Sequence, residues 1–259
     1  MKKSVKSIVS VLAVSSCFTG ISYSVSAEHH GKAAIEAAVA SADRKAEEKG
    51  RGATRKPAGV LAFVGLEPGM TVLDINSGGG YYAEIISQAV GPEGKVYAHN
   101  GPVYWDFVKG SVGARYDGRL ENVELLSPDT EAVDLPEGSA DLAIMVLAYH
   151  DFYFVHKARA EPQADVESAL ASYYKALKKG GKLLIIDHVG PKGADAATIN
   201  KLHRIDPDRV FDEMTAAGFK LDAESDLLAN ADDSPTESPF RKEMRGKTDR
   251  FIQLYVKPE

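Results

Sequence analysis

The stretch TVLDINSGGGYYAEI, residues 71–85, decides the fold of this chain. An apolar run with Asp74 near its end passes through the glycines at 78–80 and opens into a segment with helical periodicity. Such a strand, turn and helix bring backbone amides close to a ligand, because glycine adopts positive φ and has no side chain in the way. The stretch therefore predicts a ligand-binding turn, although Asn76 stands where one common form of the turn has glycine.

Strand-like and helix-like segments alternate on both sides of this turn. Helical periodicity predicts a helix over residues 31–49 and a short one over 58–66, with further helices between most of the strands. Apolar or alternating runs predict six more strands, at residues 95–100, 122–126, 140–150, 182–188, 219–228 and 250–256. The alternation is typical of an α/β protein with a doubly wound, Rossmann-like sheet covered by helices on both faces.

The chain begins with the features of a secretory leader. MKKSVK is basic, SIVSVLAV is apolar, and SVSA ends at Ala27 with small residues suited to signal peptidase. We therefore predict a signal peptide over residues 1–27, cleavage after Ala27, and export, with the periplasm as the expected destination. The apolar part is too short to span a membrane, so we expect no span in the mature chain. VSSC loosely resembles a lipoprotein box, which leaves a lipidated Cys17 as an alternative.

Residues 28–259 are expected to form one domain with a helical extension at 28–68. Cys17 is the only cysteine, so the mature chain has no disulfide and depends on a large apolar core. Removing three leader lysines changes the net charge from −6 to −9, which gives no electrostatic reason to bind nucleic acid. The expected partner is a small molecule. The polar connection at residues 230–249 is long, so it is predicted to be mobile or to form a lid.

Two classes of ligand use a glycine turn after the first strand. A dinucleotide site has G-x-G-x-x-G or A directly after the strand, and residues 78–83 match that pattern. Their first glycine, however, comes four residues after Asp74, too late for the tight turn. No acid follows the second predicted strand either. An NAD-type oxidoreductase is therefore disfavoured.

The other class fits better. Asp74-Ile75-Asn76-Ser77-Gly78-Gly79-Gly80 resembles the D-x-G-x-G-x-G motif of class I methyltransferases that use S-adenosylmethionine. Similar likenesses occur in LPEGSADLAIMVLAYHD, LKKGGKLLIIDH and AAGFKL. The run RKPAGVLAFVGLEPGMTVLDI and the short segments YHD, HRID and RGKTDRF resemble a subgroup of predicted exported or periplasmic methyltransferases. The resemblance covers nearly all of residues 28–259.

This resemblance implies a seven-stranded sheet in the order 3-2-1-4-5-7-6, with the last strand antiparallel. It also implies S-adenosylmethionine as the cofactor, with Asp74 near its methionine end. The other residues implied at the cofactor are Asn76, Gly78, Gly80, Tyr81, Asn100 and Asp129. Of Tyr81 and Tyr82, one is expected to face the ligand and the other the core.

The sequence departs from the family pattern at two positions. Asn76 replaces a glycine, but asparagine tolerates the left-handed region better than other non-glycine residues. Asn100 replaces the acid that grips the ribose hydroxyls, and an amide can still accept one such hydrogen bond. Losing about 1 kcal/mol there weakens binding roughly five- to tenfold, so we expect a weaker site rather than an inactive one. Glu131 is an alternative to Asp129 for the contact near the adenine.

Residues that could touch a methyl acceptor follow the fourth and fifth predicted strands. Tyr149, His150 and Asp151 follow the fourth; His150 could act as a base oriented by Asp151, or could simply be satisfied at a strand end. His188 follows the fifth strand. Nearby, His203 and Arg204 could close over the pocket, although Arg204 could equally form a structural ion pair.

Some of these residues also suggest a metal site, together with Asp187 at the end of the fifth predicted strand. His150, Asp151, Asp187 and His188 could meet above the sheet, but no short-range ligand spacing such as H-x-x-x-H is present. We therefore expect no metal.

Together these features predict an exported S-adenosylmethionine-dependent methyltransferase that acts on a small molecule. The alternative is a non-catalytic module that binds a small ligand on a degenerate methyltransferase fold, since the cofactor is made in the cytoplasm. The sequence indicates neither the acceptor nor the oligomeric state.

Overall fold

The structure, a computed structural model, describes residues 20–155 and 164–259, with side chains from His30 onward. Four helices precede the first strand: α1 (Gly20–Ala40), α2 (Ala46–Gly50), α3 (Gly52–Arg55) and α4 (Pro57–Phe63). The strands are β1 (Thr71–Ile75), β2 (Lys95–His99), β3 (Val123–Leu126), β4 (Ala140–Val146), β5 (Leu177–His188), β6 (Lys220–Glu224) and β7 (Arg250–Val256). The remaining helices are α5 (Tyr81–Val90), α6 (Pro102–Val108), α7 (Val112–Tyr116), α8 (Val166–Ala176), α9 (Ala196–Leu202) and α10 (Pro207–Ala216). A short 3₁₀ turn, Tyr149–Tyr153, follows β4.

All seven predicted strands are present in one sheet, in the order β3-β2-β1-β4-β5-β7-β6. The strands β3, β2, β1, β4 and β5 pair in parallel, whereas β7 is antiparallel to both β5 and β6. The predicted doubly wound sheet and its antiparallel last strand are confirmed. In such a sheet the ligand-binding crevice lies at the carboxyl ends of the strands, where strand order reverses beside β1.

The sheet separates two apolar clusters. One contains Val72 and packs under α1, α4 and α5, and the other contains Leu73 and Ile75 and packs under α8 and α10. Since side chains alternate along a strand, Asp74 lies on the same face as Val72, beneath α5. The topology therefore aims this acid at the glycine turn.

Several predicted boundaries are wrong. β5, predicted to begin at residue 182, begins at Leu177, and β6, predicted over 219–228, spans Lys220–Glu224. The helix predicted over 31–49 ends at Ala40, because the Ser41 side chain accepts the Asp43 amide (3.3 Å) and competes with helical hydrogen bonds. The strand predicted over 140–150 ends at Val146, where Leu147 takes a φ of +59° and the chain turns. This turn places His150 and Asp151 on the 3₁₀ segment.

The connection predicted to be mobile or a lid is tied to the fold. Within it Asp233 forms an ion pair with Arg204 (2.7 Å), and both side chains are fully buried. The Arg204 guanidinium also donates to the carbonyls of Glu237 (2.6 Å) and Val189 (3.0 Å). Arg204 is thus the structural ion pair that the sequence left as one of two alternatives.

Residues 1–19 of the predicted signal peptide, Cys17 among them, lie outside the described residues. Residues 20–27 form the first part of α1. Across the described ranges, no helix is both long enough and apolar enough to cross a membrane. The leader and its cleavage stay predictions.

Candidate functional site

The glycine turn has the backbone that its sequence predicts. Gly78 and Gly80 have φ values of +56° and +83°, and Asn76 has a φ of +50°. At Gly80 an added Cβ would lie 2.2 Å from the Tyr116 hydroxyl oxygen, so the turn approaches α7 too closely for any side chain. The helix α5 begins at the next residue, and the backbone amide of Ala83 in its first turn donates to Asp74.

Asn76 and Asn100 both hold the turn in place. Asn76 Oδ1 accepts the Gly101 amide (2.9 Å), and its Nδ2 donates to Glu131 Oε2 (3.1 Å). Asn100 Oδ1 accepts the Gly78 amide (2.9 Å), and its Nδ2 donates to Ser77 Oγ (3.1 Å). Asn100 is fully buried. The two departures from the family pattern therefore tie the ends of β1 and β2 together, a role that the sequence did not suggest.

Asp74 is the most perturbed acid of the turn. Asp74 is 2% exposed, and within residues 20–155 and 164–259 its Oδ2 has no hydrogen-bond partner. Burial raises the pKa of the Asp74 carboxyl to about 8, against the opposing effects of the Ala83 backbone amide and the Arg55 charge. A buried acid with one unmatched oxygen, aimed into a cavity, can accept a hydrogen bond from a cationic ligand group.

A cavity of about 330 Å³ opens above this acid. Its floor is the glycine turn, and its walls include Tyr81, Tyr82, Leu147 and Tyr104. Its volume lies at the lower end of the range usual for small-molecule sites, about 300–1,000 Å³.

The segment that contains α2 and α3 brings three arginines close to the Tyr81 ring, and two of them, Arg51 and Arg55, line the cavity. The guanidinium groups of Arg44, Arg51 and Arg55 lie 5.2, 5.4 and 4.7 Å from the centre of the Tyr81 ring. Such cation–π contacts fix the ring. Tyr81 lines the cavity, and its buried hydroxyl has no hydrogen-bond partner among the described residues. Both Tyr81 and Tyr82 line it, whereas the sequence predicted that only one would.

The acid that reaches the turn from the loop after β3 is Glu131. Asp129 is exposed, whereas Glu131 is half-buried and bonded to Asn76. A Cβ placed on Gly101 would lie 2.1 Å from Glu131 Oε2, so this carboxylate occupies the space where the side chain after β2 would begin. Of the two alternatives from the sequence, the geometry favours Glu131.

A second group of polar residues lies at the ends of β4 and β5. Asp187 is fully buried and accepts the backbone amides of His150 (2.9 Å) and His188 (2.7 Å). It also lies 2.8 Å from His150 Nδ1. Because Asp187 accepts from both amides, it is the acceptor for the ring as well, and His150 Nδ1 carries the hydrogen. The other ring nitrogen, Nε2, is left to face Asp151.

Asp151 joins this group to the cavity. Its Oδ2 accepts the hydroxyl of the cavity residue Tyr104 (2.6 Å). Its Oδ1 lies 3.3 Å from His150 Nε2 and 3.5 Å from His203 Nδ1. His203 caps α9 with a φ of +52° and contacts the rings of Phe154 and Phe240.

The protonation state of His150 does not suit its predicted role as a general base. Burial lowers its pKa, but the charges of Asp187 and Asp151 outweigh burial and raise the pKa to about 9. The ring therefore carries a proton at neutral pH and cannot accept another. In contrast, burial lowers the pKa of His188 to about 3, and its Nδ1 lies 2.7 Å from Thr248 Oγ1.

Tyr149 lies outside this group. It is fully buried in the cluster under α8 and α10, and its hydroxyl donates to Glu213 (2.8 Å). The turn after β4 directs Tyr149 and His150 to different surroundings. The sequence had placed Tyr149 among the catalytic candidates, and the structure places it in the core.

Sequence reasoning missed Tyr104 and Arg55 as members of the site. Tyr104 lies on α6, and Arg55 ends α3. Arg55 begins the run RKPAGVLAFVGLEPGMTVLDI, which resembles the family, but it was not assigned to the site. A weak signal did exist for Arg55, since it precedes Lys56-Pro57 in a stretch with several basic residues.

Known proteins resemble this chain over parts of its length. A family model described as protein-L-isoaspartate(D-aspartate) O-methyltransferase matches residues 47–100, which contain the glycine turn. The ubiquinone/menaquinone biosynthesis C-methyltransferase UbiE of Escherichia coli is 29% identical over 148 residues, or 54% of each chain. The chain therefore spans about half the length of the curated relatives it matches.

Solved structures extend the likeness to most of the fold. A SAM-dependent methyltransferase from Aquifex aeolicus superposes with a TM-score of 0.53 and 24% identity, over 79% of this chain and 89% of that one. Aeropyrum pernix fibrillarin, solved with bound S-adenosyl-L-methionine, has a TM-score of 0.51 and 16% identity, over 80% and 76% of the two chains. With the observed strand order, these likenesses show that this chain has the class I methyltransferase fold.

Proposed function

We propose that this chain binds S-adenosylmethionine in the cavity above Asp74 and transfers its methyl group to a small molecule. The observation that carries the proposal is Asp74 itself, a buried acid with an unmatched oxygen facing that cavity. Burying such a group without a partner costs about 1–3 kcal/mol, and a cationic ligand removes that cost.

The cavity suits this cofactor in charge as well as in position. The methionyl part of S-adenosylmethionine carries an ammonium group, a sulfonium and a carboxylate. Asp74 can accept from the ammonium, and Arg51 and Arg55, which line the same cavity, are suited to the carboxylate. We assign the ribose hydroxyls to Glu131, because its carboxylate stands at the end of β2 and Asn100 is already bonded to the turn.

When bound, the cofactor supplies a methyl group on a sulfonium, which an acceptor takes by in-line displacement. The task of the protein in such a step is mainly to hold the two reactants in line. Tyr104 lines the cavity and bonds Asp151, so the acceptor is placed on the side of the ends of β4 and β5. The amides of the turn and the buried rings of Tyr81 and Tyr82 form the opposite side of the cavity.

Calorimetry on the purified protein tests the proposal. S-adenosylmethionine and S-adenosylhomocysteine should bind, and NAD should not. Asp74→Asn and Glu131→Gln should each weaken S-adenosylmethionine binding about tenfold or more. Glu131→Gln removes a charged hydrogen-bond acceptor, and Asp74→Asn removes the carboxyl that a bound cation would favour in its ionised form. Asp129→Asn is the matched control in the same loop as Glu131 and should leave the affinity unchanged.

No binding of either cofactor form up to millimolar concentration would reject this function. It would favour a non-catalytic module that holds another small ligand on the same fold. Equal losses in Glu131→Gln and Asp129→Asn would instead reject the assignment of Glu131.

We further propose export, with removal of residues 1–27, on the strength of the basic start, apolar run and small residues of the leader. N-terminal sequencing of the protein from a periplasmic fraction should begin at Glu28. A chain found intact in the cytoplasm, or one lipidated at Cys17, would contradict this.

A further inference from the structure

We propose that His150, Asp151 and His203 form a binding site for a divalent transition-metal ion of the zinc class. In the part of the chain that the structure describes, these three offer one ligand atom each, all within 4.8 Å of one another. His150 and Asp151 come from the turn after β4, and His203 comes from the end of α9. The fold thus brings together residues that are about fifty positions apart in the sequence.

The distances suit a shared metal ion better than direct hydrogen bonds. Asp151 Oδ1 lies 3.3 Å from His150 Nε2 and 3.5 Å from His203 Nδ1. Hydrogen bonds between an imidazolium and a carboxylate are shorter, about 2.7–2.9 Å. Ligands held tetrahedrally at about 2.0–2.1 Å from zinc are separated from one another by about 3.4 Å.

His150 and Asp151 are each oriented by a further hydrogen-bond partner, as metal ligands in proteins usually are. Buried Asp187 lies 2.8 Å from His150 Nδ1 and keeps the hydrogen on that nitrogen, so a metal ion would bind at Nε2 and displace the proton there. A carboxylate behind a ligating histidine is the common second partner of such residues. On the other side, Tyr104 donates to Asp151 Oδ2 (2.6 Å) and leaves Oδ1 to the proposed ion.

His203 is held in a conformation that few residues adopt. Its φ of +52° places it in the left-handed region, which costs a non-glycine residue about 1–2 kcal/mol. The ring is packed between Phe154 and Phe240, with centroid distances of 5.0 and 5.1 Å. Strained backbone of this kind gathers at functional sites, where the surroundings fix it.

Two imidazoles and one carboxylate are one of the ligand sets of catalytic zinc sites, which leave a fourth position for water or a substrate atom. Side chains of Asp151 and His203 remain 19% and 23% exposed, so a small molecule can reach them. The fourth position lies beside the cavity. If the proposed methyl transfer is correct, the metal ion would bind the oxygen, nitrogen or sulfur atom of the methyl acceptor there in its deprotonated form. That refinement rests on the proposed function, whereas the metal site does not.

Cobalt(II) serves as the optical probe for the site. The purified protein, first treated with a chelator, should bind one equivalent of Co²⁺ with the visible absorption bands of tetrahedral coordination, and Zn²⁺ should displace it. His203→Ala should abolish these bands, and Asp187→Asn should weaken binding about 10- to 100-fold. His30→Ala, a histidine exposed on α1, is the matched control and should leave the spectrum unchanged.

X-ray absorption spectroscopy of the zinc-loaded wild-type protein tests the site without a variant. Zinc coordinated by two imidazole nitrogens and by oxygen would support the site, whereas zinc coordinated by oxygen alone would reject it. No cobalt bands at millimolar Co²⁺, or bands that persist in His203→Ala, would also overturn the inference. Titration of the metal-free protein with S-adenosylmethionine separates the two proposals, because the protein can bind the metal ion without binding S-adenosylmethionine, and the reverse.

Discussion

At the scale of single residues, charge and burial conflict most at Asp74. The fold places a carboxyl in apolar surroundings where its ionised form is poorly supported, and the pKa rises to about 8 as a result. Natural proteins keep such a group where function needs it, at a cost in stability. Asn76 and Asn100 are the reverse case. The sequence predicted that they weaken cofactor binding, and in the structure they hold the turn.

We expect Asp74→Asn to stabilise the ligand-free protein, and increasingly so as pH rises from about 4 to 8. A carboxyl whose pKa is raised on folding contributes stability below the unfolded value, about 3.9, and loses it as pH rises through the folded value. The asparagine has no charge to bury. Thermal unfolding at pH 5 and pH 8 checks this, and a difference in Tm that is the same at both values would contradict it. Asp129→Asn, on an exposed loop, should show no such trend.

At the scale of elements, the unit from β1 to α5 is defined by its turn and covered by the helices before β1. Arg115 of α7 forms buried ion pairs with Glu48 of α2 and Glu84 of α5. The Glu84 carboxylate also bonds Arg119 (2.8 Å). These contacts fix the short helices, which could not be stable alone, over the cavity.

Gly80→Ala should disrupt this unit. The residue has a φ of +83°, and the new Cβ would lie 2.2 Å from the Tyr116 hydroxyl oxygen and 2.8 Å from the Arg115 side chain. Strain and overpacking together should lower the free energy of unfolding by about 2–4 kcal/mol. Gly79→Ala is the matched control, because a Cβ there meets nothing within 4 Å and its φ is not positive. Chemical denaturation compares the two, and equal effects would contradict the prediction.

At the scale of the whole molecule, the ends of β4 and β5 become a site only through distant segments. The cavity residues come from α3, the glycine turn and α6, whereas His203 comes from α9. The segment before β7 adds Phe240 to the surroundings of His203, and Arg204 ties that segment to the sheet.

Asp233→Asn should therefore destabilise the protein strongly. It removes one partner of the buried ion pair with Arg204 and leaves an arginine charge in the interior, which costs about 3–5 kcal/mol. Asp232→Asn, at the exposed neighbouring position, should change the free energy of unfolding by less than about 0.5 kcal/mol. Urea unfolding of both variants measures the difference. A small effect for Asp233→Asn would mean that the connection is not tied down by this pair.

Much of the fold was predictable because local patterns carry it. Each strand is an apolar or alternating run between turn residues, and Gly78 and Gly80 have the positive φ that their turn requires. The errors arose where a local interaction competed with the pattern, as at Ser41, or where the chain turned after Val146 without any glycine or proline to mark it.

The sequence by itself determined the strand order by family resemblance, the place of the glycine turn, and the acid at the end of β1. Only the tertiary structure decided what the polar residues do. It gave the turn-holding role to Asn100, favoured Glu131 over its alternative Asp129, placed Tyr149 in the core, and brought His203 to His150 and Asp151. The physical reason is that backbone patterns are set by near neighbours. The protonation and partners of a buried polar group, in contrast, depend on which distant segments fold against it.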